Sequence, residues 1–108
     1  MSKGTIVLIA FPFTDLSGQK VRPALVLYNQ KGGEDCIVMF ISSTQQKKVG
    51  ENEVSVSPSK SNGLKVPSII KVGKLATLQK RVIIGELGTL EPDILLEVST
   101  KLQKLIQS

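Results

Sequence analysis

Short apolar stretches fill the chain as far as residue 87, and each is bounded by proline, glycine or a polar cluster. Stretches of this kind that contain β-branched residues predict β-strands. The first strand is apolar throughout, which indicates burial on both faces, or on one face together with a subunit contact. The predicted strands are residues 5–10, 23–28, 36–41, 53–56, 67–72 and 81–87, with a short irregular or helical turn at residues 75–78 and polar loops at residues 14–21 and 42–52.

Only the last segment of the chain has a clear helical period. Pro92 suits the first position of a helix, and Glu91 and Asp93 place carboxylates near its positive end. Strands followed by one helix predict a single domain over residues 1–108, mainly β, in which a C-terminal α-helix packs on a curled sheet or small barrel. The apolar side chains that share one face of this helix are Ile94, Leu95, Val98, Leu102, Leu105 and Ile106.

The chain contains no histidine and a single cysteine. Histidine-based metal sites and the Ser-His-Asp and Cys-His catalytic arrangements are therefore excluded. Cys36 lies in an apolar run and is interpreted as a core residue rather than a nucleophile. The carboxylates are scattered without the spacing of a metal-binding loop. No metal and no cofactor are expected.

The net charge of +5 and the pI near 9.5 favour acidic partners such as nucleic acid or an acidic protein. The lysines are spread along the chain, so charge alone does not choose between these partners. No apolar stretch is long enough to span a bilayer or to serve as a signal peptide. We therefore expect a cytoplasmic protein that does not enter the membrane.

Two groups of polar residues stand at the ends of predicted strands. Arg22 precedes Pro23 at a loop–strand junction, where a guanidinium could bind a phosphate or could simply be solvated. The hydroxyls of Ser42, Ser43 and Thr44 directly follow the third strand, where they could bind phosphate oxygens or simply begin a loop. These patterns leave the function open.

Three stretches together resemble the MazF/PemK toxin family. Residues 4–18 read GTIVLIAFPFTDLSG and residues 20–27 read KVRPALVL, a pattern similar to that of the PemK-like branch. Residues 37–43, IVMFISS, are similar to the third-strand motif of the family. Further similar segments are GL at 63–64, PSIIKV at 67–72, KLATL at 74–78 and IGELG at 84–88. The resemblance extends from about Gly4 to the last helix.

The resemblance implies an SH3-like small barrel of the CcdB/Kid/MazF type, in a homodimer. It also implies the toxin of a type II toxin–antitoxin system: an endoribonuclease that cleaves single-stranded RNA at short motifs, without metal, to 2′,3′-cyclic phosphate and 5′-hydroxyl ends. A cognate antitoxin protein would block the RNA groove. By the motifs, Arg22 and Ser42 match the catalytic residues, and the RNA contacts fall on Thr14, Lys20, Ser43, Thr44, Gln45 and Lys71.

This sequence departs from relatives in three places. Thr5 stands where most relatives have an acidic residue, Gly73 stands where some have aspartate, and the first loop lacks a histidine. These departures leave the general base unassigned. The alternatives to an enzyme are a non-catalytic binding module on the same fold, which would bind a topoisomerase or only the antitoxin, and a structural or nucleic-acid-binding barrel. Retention of both Arg22 and Ser42 favours the enzyme.

Overall fold

A computed structural model describes residues 1–12, 19–43 and 48–108 of the protein. Its described part consists of six strands, one short 3-10 turn at Lys80–Val82 and one α-helix. A mainly β fold with a C-terminal helix is thereby confirmed. The strands are β1 (Thr5–Pro12), β2 (Gln19–Asn29), β3 (Asp35–Ser43), β4 (Glu53–Val56), β5 (Ser68–Gln79) and β6 (Ile83–Thr89), and the helix α1 is Pro92–Gln107.

All six strands belong to one antiparallel sheet in the order β4-β5-β3-β2-β1-β6. The expected small barrel is corrected in one respect, because β4 and β6 are sheet edges and do not pair with each other. The sheet nevertheless curls, since Val56 of β4 and Leu87 of β6 pack in the same apolar cluster. The β4–β5 loop bridges the two edges through a 2.7 Å hydrogen bond from the Thr89 amide to the Ser61 carbonyl.

Two apolar clusters lie on opposite faces of the sheet. Ile6 belongs to the cluster that α1 covers, together with Leu25 and Met39, whereas its neighbour Val7 belongs to the second cluster. Successive side chains of a strand point to opposite faces, so β1 is buried on both of its faces by the chain itself. The predicted burial on both faces is confirmed, and it needs no subunit contact.

The structure extends most of the predicted strands, β3 by residues 42–43 of a predicted loop and two others at greater length. Residues 75–78 continue β5, contrary to the predicted irregular or helical turn, because they pair with residues 36–39 of β3. Strand β2 begins at Gln19, inside the predicted loop, because its first residues pair with the end of β1. Pairing with a neighbouring strand thus overrides the local sequence preference at both places.

The predicted helix is confirmed, with Glu91 as N-cap and Pro92 in the first turn. Val98 is fully buried in the cluster beneath it, whereas Ile106, predicted on the same face, is 71% exposed. The Nζ of Lys101 donates a 2.8 Å hydrogen bond to the carbonyl oxygen of Glu53, which ties the helix to β4. The described residues include no helix that is both long and apolar enough to cross a membrane.

Candidate active site

Strands β2 and β3, which carry the two predicted catalytic residues, are neighbours in the sheet. Their pairing ends at Ala24 with Phe40, so Arg22 and Ser42 each lie two residues beyond the last position at which the two strands pair. By strand alternation both lie on the face that carries Ala24 and Phe40. Arg22 is exposed and Ser42 is half-buried. A guanidinium and a hydroxyl can both donate hydrogen bonds to an anionic group.

A groove of about 470 Å³ lies at the end of the sheet where β1 and β3 end and β2 and β5 begin. Arg22 is one of its lining residues. Ser42 does not line the groove, but its neighbours Ile41 and Ser43 do. The residues that line the groove are Leu8, Lys20, Val21, Arg22, Pro23, Ile41, Ser43, Leu64, Lys65, Val66, Ser68 and Leu87.

The groove combines an apolar lining with positive charge. Its lining includes three cationic residues, Lys20, Arg22 and Lys65, and no carboxylate among the residues that the structure describes. Val21 and Val66 are each about half exposed, so apolar surface is available to a bound molecule. Positive charge attracts anions, and apolar surface suits an unstacked base or an apolar side chain. The groove is therefore suited to a flexible, acidic chain.

Two of the predicted RNA-binding residues line the groove, and a third lies outside it. Lys20 and Ser43 line the groove. Lys71 does not, and its Nζ forms an ion pair with the Glu53 carboxylate, its partner across β4 and β5. Thr14, Thr44 and Gln45 lie outside the described residues.

The ion pair between Glu53 and Lys71 changes the pKa of Glu53. The hydrogen bond from Lys71, with a 2.8 Å hydrogen bond from the Gly50 amide, lowers the pKa of Glu53 below its ordinary value. Lys71 thus already has a carboxylate partner.

Nine of the twelve groove residues have no counterpart among the predicted site residues, among them Leu64, Lys65 and Ser68. Ser68 is buried, and its Oγ donates a 2.9 Å hydrogen bond to the Val66 carbonyl. Leu64 and Lys65 follow Gly63, whose φ of +71° turns the chain toward the groove. The GL pair at residues 63–64 is among the segments that resemble the family, but no role in a site is predicted for it.

Cys36 is confirmed as a core residue. Its side chain is fully buried in the second apolar cluster, and its Sγ lies 3.6 Å from the Leu78 carbonyl oxygen. Burial raises the pKa of the thiol, an effect that Lys80 only partly offsets. A protonated, enclosed thiol is a poor nucleophile.

Comparison with solved structures supports the fold. The chain superposes with a TM-score of 0.80 on the MazE–MazF complex from Deinococcus radiodurans, at 21% identity over 99% of this chain and 96% of that one. MazF alone from the same organism gives 0.74 at 24% identity, over 100% and 97% of the two chains. An endoribonuclease in complex with its cognate antitoxin, from a mycobacterial species, gives 0.75 at 18% identity, over 99% and 95%.

Comparison at the level of sequence assigns the family. A search of curated proteins gives no match. The sequence profile of one family, however, matches residues 2–106, almost the whole chain, and the family is described as the PemK-like, MazF-like toxins of type II toxin–antitoxin systems. The same residues form the sheet, the groove and the helix described above. The chain therefore belongs to the PemK-like, MazF-like family of toxins of type II toxin–antitoxin systems.

Proposed function

We propose that the chain is a metal-independent endoribonuclease that cleaves single-stranded RNA beside the groove. The observation that carries the proposal is the groove lined by the cationic residues Lys20, Arg22 and Lys65, with Ser42 between the lining residues Ile41 and Ser43 of β3. The solved relatives described as endoribonucleases share the fold with this chain. Membership in the toxin family makes RNA cleavage the expected reason for this arrangement.

The reaction requires no nucleophile from the protein. The 2′-hydroxyl of one nucleotide attacks the adjacent phosphorus, and the bond from phosphorus to the 5′-oxygen breaks. The attacking hydroxyl releases a proton and the departing oxygen takes one up, which leaves a 2′,3′-cyclic phosphate and a 5′-hydroxyl. The protein must hold the attacking and leaving oxygens in line and stabilise the charge that develops on the phosphate oxygens.

Arg22 and Ser42 supply the groups for these tasks. The guanidinium of Arg22 stabilises the charge on the non-bridging oxygens, and two parallel N–H donors match a phosphate in geometry. The Ser42 hydroxyl donates to a phosphate oxygen and fixes its orientation. Lys20 and Lys65 attract the phosphates of neighbouring nucleotides.

The same groove also suits a cognate antitoxin, which we propose as the protein partner. An acidic segment with apolar side chains would match the three cations and the apolar lining. Two of the solved relatives above are complexes of a toxin with its antitoxin. Such a segment would exclude RNA by occupying its site.

A homodimer is the assembly that we propose for the free toxin. The burial of β1 within one chain removes one argument for it, but an apolar groove remains between α1 and β2. This groove is bordered by Leu27, Leu102 and the largely exposed Ile106. Analytical ultracentrifugation at micromolar concentration should give a dimer, and a monomer alone would count against this part of the proposal.

The test of the enzyme uses a long RNA of mixed sequence in excess EDTA. The wild type should cut it into discrete fragments whose 5′ ends are labelled by polynucleotide kinase without prior phosphatase treatment, and Arg22→Ala should leave it intact. Arg81→Ala is the matched control, because Arg81 is also an exposed arginine and lies outside the groove. Intact RNA with folded, antitoxin-free wild type would favour the non-catalytic binding module.

A further inference from the structure

One side of the groove is formed by a short segment outside the sheet, Leu64, Lys65 and Val66, which we call the groove wall. It connects the β4–β5 loop to the start of β5. Segments without regular secondary structure keep one conformation only when other groups satisfy their backbone. The position of the groove wall therefore depends on what binds it at its two ends.

At its first end, the groove wall is held by Asn62, a fully buried residue. The Oδ1 of Asn62 accepts hydrogen bonds from the amides of Leu64, at 2.9 Å, and of Ser59, at 3.1 Å. Its Nδ2 donates to the Ser57 carbonyl, at 2.9 Å, and to the Glu91 carboxylate, at 3.1 Å. Both donors and both acceptor positions of the amide are thus used, which fixes the rotamer of Asn62.

Glu91 anchors this network to the rest of the protein. It is the N-cap residue of α1 and directly follows the buried Leu90, so its position is set by the helix. Partial burial opposes ionisation of Glu91, but hydrogen bonds from Ser59, its own amide and Asn62 outweigh that effect and lower its pKa. The carboxylate is thus charged at neutral pH and accepts from Asn62 with added strength.

The second end of the groove wall is fixed by the Ser68 hydroxyl, which donates to the Val66 carbonyl at 2.9 Å. Behind the wall, the loop lies against β6: Gly63 packs on the Leu87 carbonyl, and the Ser61 hydroxyl donates to the Thr89 carbonyl at 2.8 Å. The three residues of the groove wall are therefore held between the side chains of Asn62 and Ser68. The Asn62 side chain also binds Glu91, at the start of the helix.

We propose that Asn62 and Glu91 are positioning residues of the groove, which hold the groove wall in place so that the exposed Lys65 faces the RNA backbone. They touch neither the substrate nor the reacting atoms and act through the groove wall. The inference rests on the proposed ribonuclease activity, because it names the residues that shape the substrate site. Loss of the Glu91 carboxylate should loosen the wall and weaken RNA binding, while Arg22 and Ser42 stay in place.

The experiment compares Glu91→Ala and Glu91→Gln in the full-length protein. Gln keeps an acceptor oxygen for Asn62, whereas Ala removes it. We expect Glu91→Ala to raise KM for a short RNA substrate about 10-fold, equivalent to one hydrogen bond with a charged group, with kcat unchanged. Glu91→Gln should restore most of the affinity. A KM in Glu91→Ala equal to that of the wild type would overturn the inference.

A matched control separates positioning from simple loss of stability. Val98→Ala removes buried side-chain volume from the core beneath the same helix but leaves the hydrogen bonds of Asn62 with Leu64 and Glu91 in place, and it should lower Tm without changing KM. Hydrogen–deuterium exchange supplies a readout that does not need activity. Glu91→Ala should accelerate exchange in residues 59–66 while the sheet stays protected. Val98→Ala should not accelerate exchange in residues 59–66.

The outcomes distinguish the two levels of the proposal. If the wild type does not cleave RNA, the proposed function fails, and faster local exchange in Glu91→Ala alone still supports the role of the network in holding the wall. If the wild type cleaves RNA but Glu91→Ala has the KM of the wild type, only the positioning role fails.

Discussion

Gly63 and the main-chain oxygen of Leu87 are in direct contact: a β-carbon on Gly63 would lie 2.1 Å from that oxygen. The contact joins the loop that carries the groove wall to edge strand β6. It also coincides with a φ of +71° at Gly63, a conformation that L side chains rarely adopt. Two separate physical reasons thus require glycine here.

The first prediction separates these two reasons. Gly32 has a similar φ of +69° but no atom within 4 Å of its β-carbon position, so Gly32→Ala measures the conformational cost alone. That cost should be about 1–2 kcal/mol in the free energy of unfolding. Gly63→Ala should cost about 1–3 kcal/mol more, because Leu87 cannot move its backbone without disturbing β6. Urea unfolding of both variants gives the two values, and equal costs would show that the contact is unimportant.

Ser42 is predicted to act in the chemical step. Ser42→Ala should lower kcat on the order of 100-fold, as loss of one preorganised hydrogen-bond donor does, with little change in KM. Ser55→Ala is the control, since Ser55 is an exposed serine of β4 that does not line the groove, and its variant should keep wild-type kinetics. Steady-state cleavage of a fluorogenic RNA measures both. Wild-type kcat in Ser42→Ala would remove Ser42 from the catalytic role.

Acid should destabilise the fold partly through Glu53. Its pKa is lower in the folded protein than the ordinary value near 4.5, because Lys71 and the Gly50 amide donate to the carboxylate. A lowered folded-state pKa stabilises the protein above the unfolded-state value, and this stabilisation is lost as the pH falls through the folded-state pKa. Glu53→Gln should therefore be less stable than the wild type at pH 7, and the difference should shrink toward pH 3. Urea midpoints at both pH values test this, and a constant difference would contradict it.

Cys36 should be unreactive in the native protein. Burial both excludes reagents from the thiol and raises its pKa, so little thiolate forms near neutral pH. Reaction with a disulfide reagent such as DTNB should be slow in buffer and complete at once in denaturing urea. Fast labelling of the folded protein, monitored at the same pH, would show that the second apolar cluster opens readily.

The sequence predicts the helix and most strands because their signals are local. Pro92 and the apolar period define α1, and short β-branched runs define the strands. Residues 75–78 contain Leu and Ala, which favour helix, and they become strand only through pairing with β3. Long-range pairing of this kind has no local signature.

Local sequence patterns predict less of the site than of the fold. Nothing in the sequence around Arg22 or Ser42 indicates that their strands are neighbours, because the pairing of β2 with β3 is a long-range feature. The link between the two residues comes from the resemblance to a family. The place of Lys65 in the groove depends on Gly63 and on the buried amide of Asn62, which no local pattern indicates. The RNA contact expected for Lys71 stays a prediction, and in the structure its Nζ pairs with Glu53.

The pairing of β1 with β6 has a consequence for the synthesis of a toxin. The groove takes Leu8 from the first strand and Leu87 from the last, so its lining is drawn from almost the whole length of the chain. While β6 is still inside the ribosome, the nascent polypeptide lacks one side of the groove. Strand β1 then lacks β6, one of its two hydrogen-bonded neighbours. Contacts between residues so distant in sequence form late in folding. The groove is thus complete only after Leu87 has left the ribosome and β6 has paired with β1.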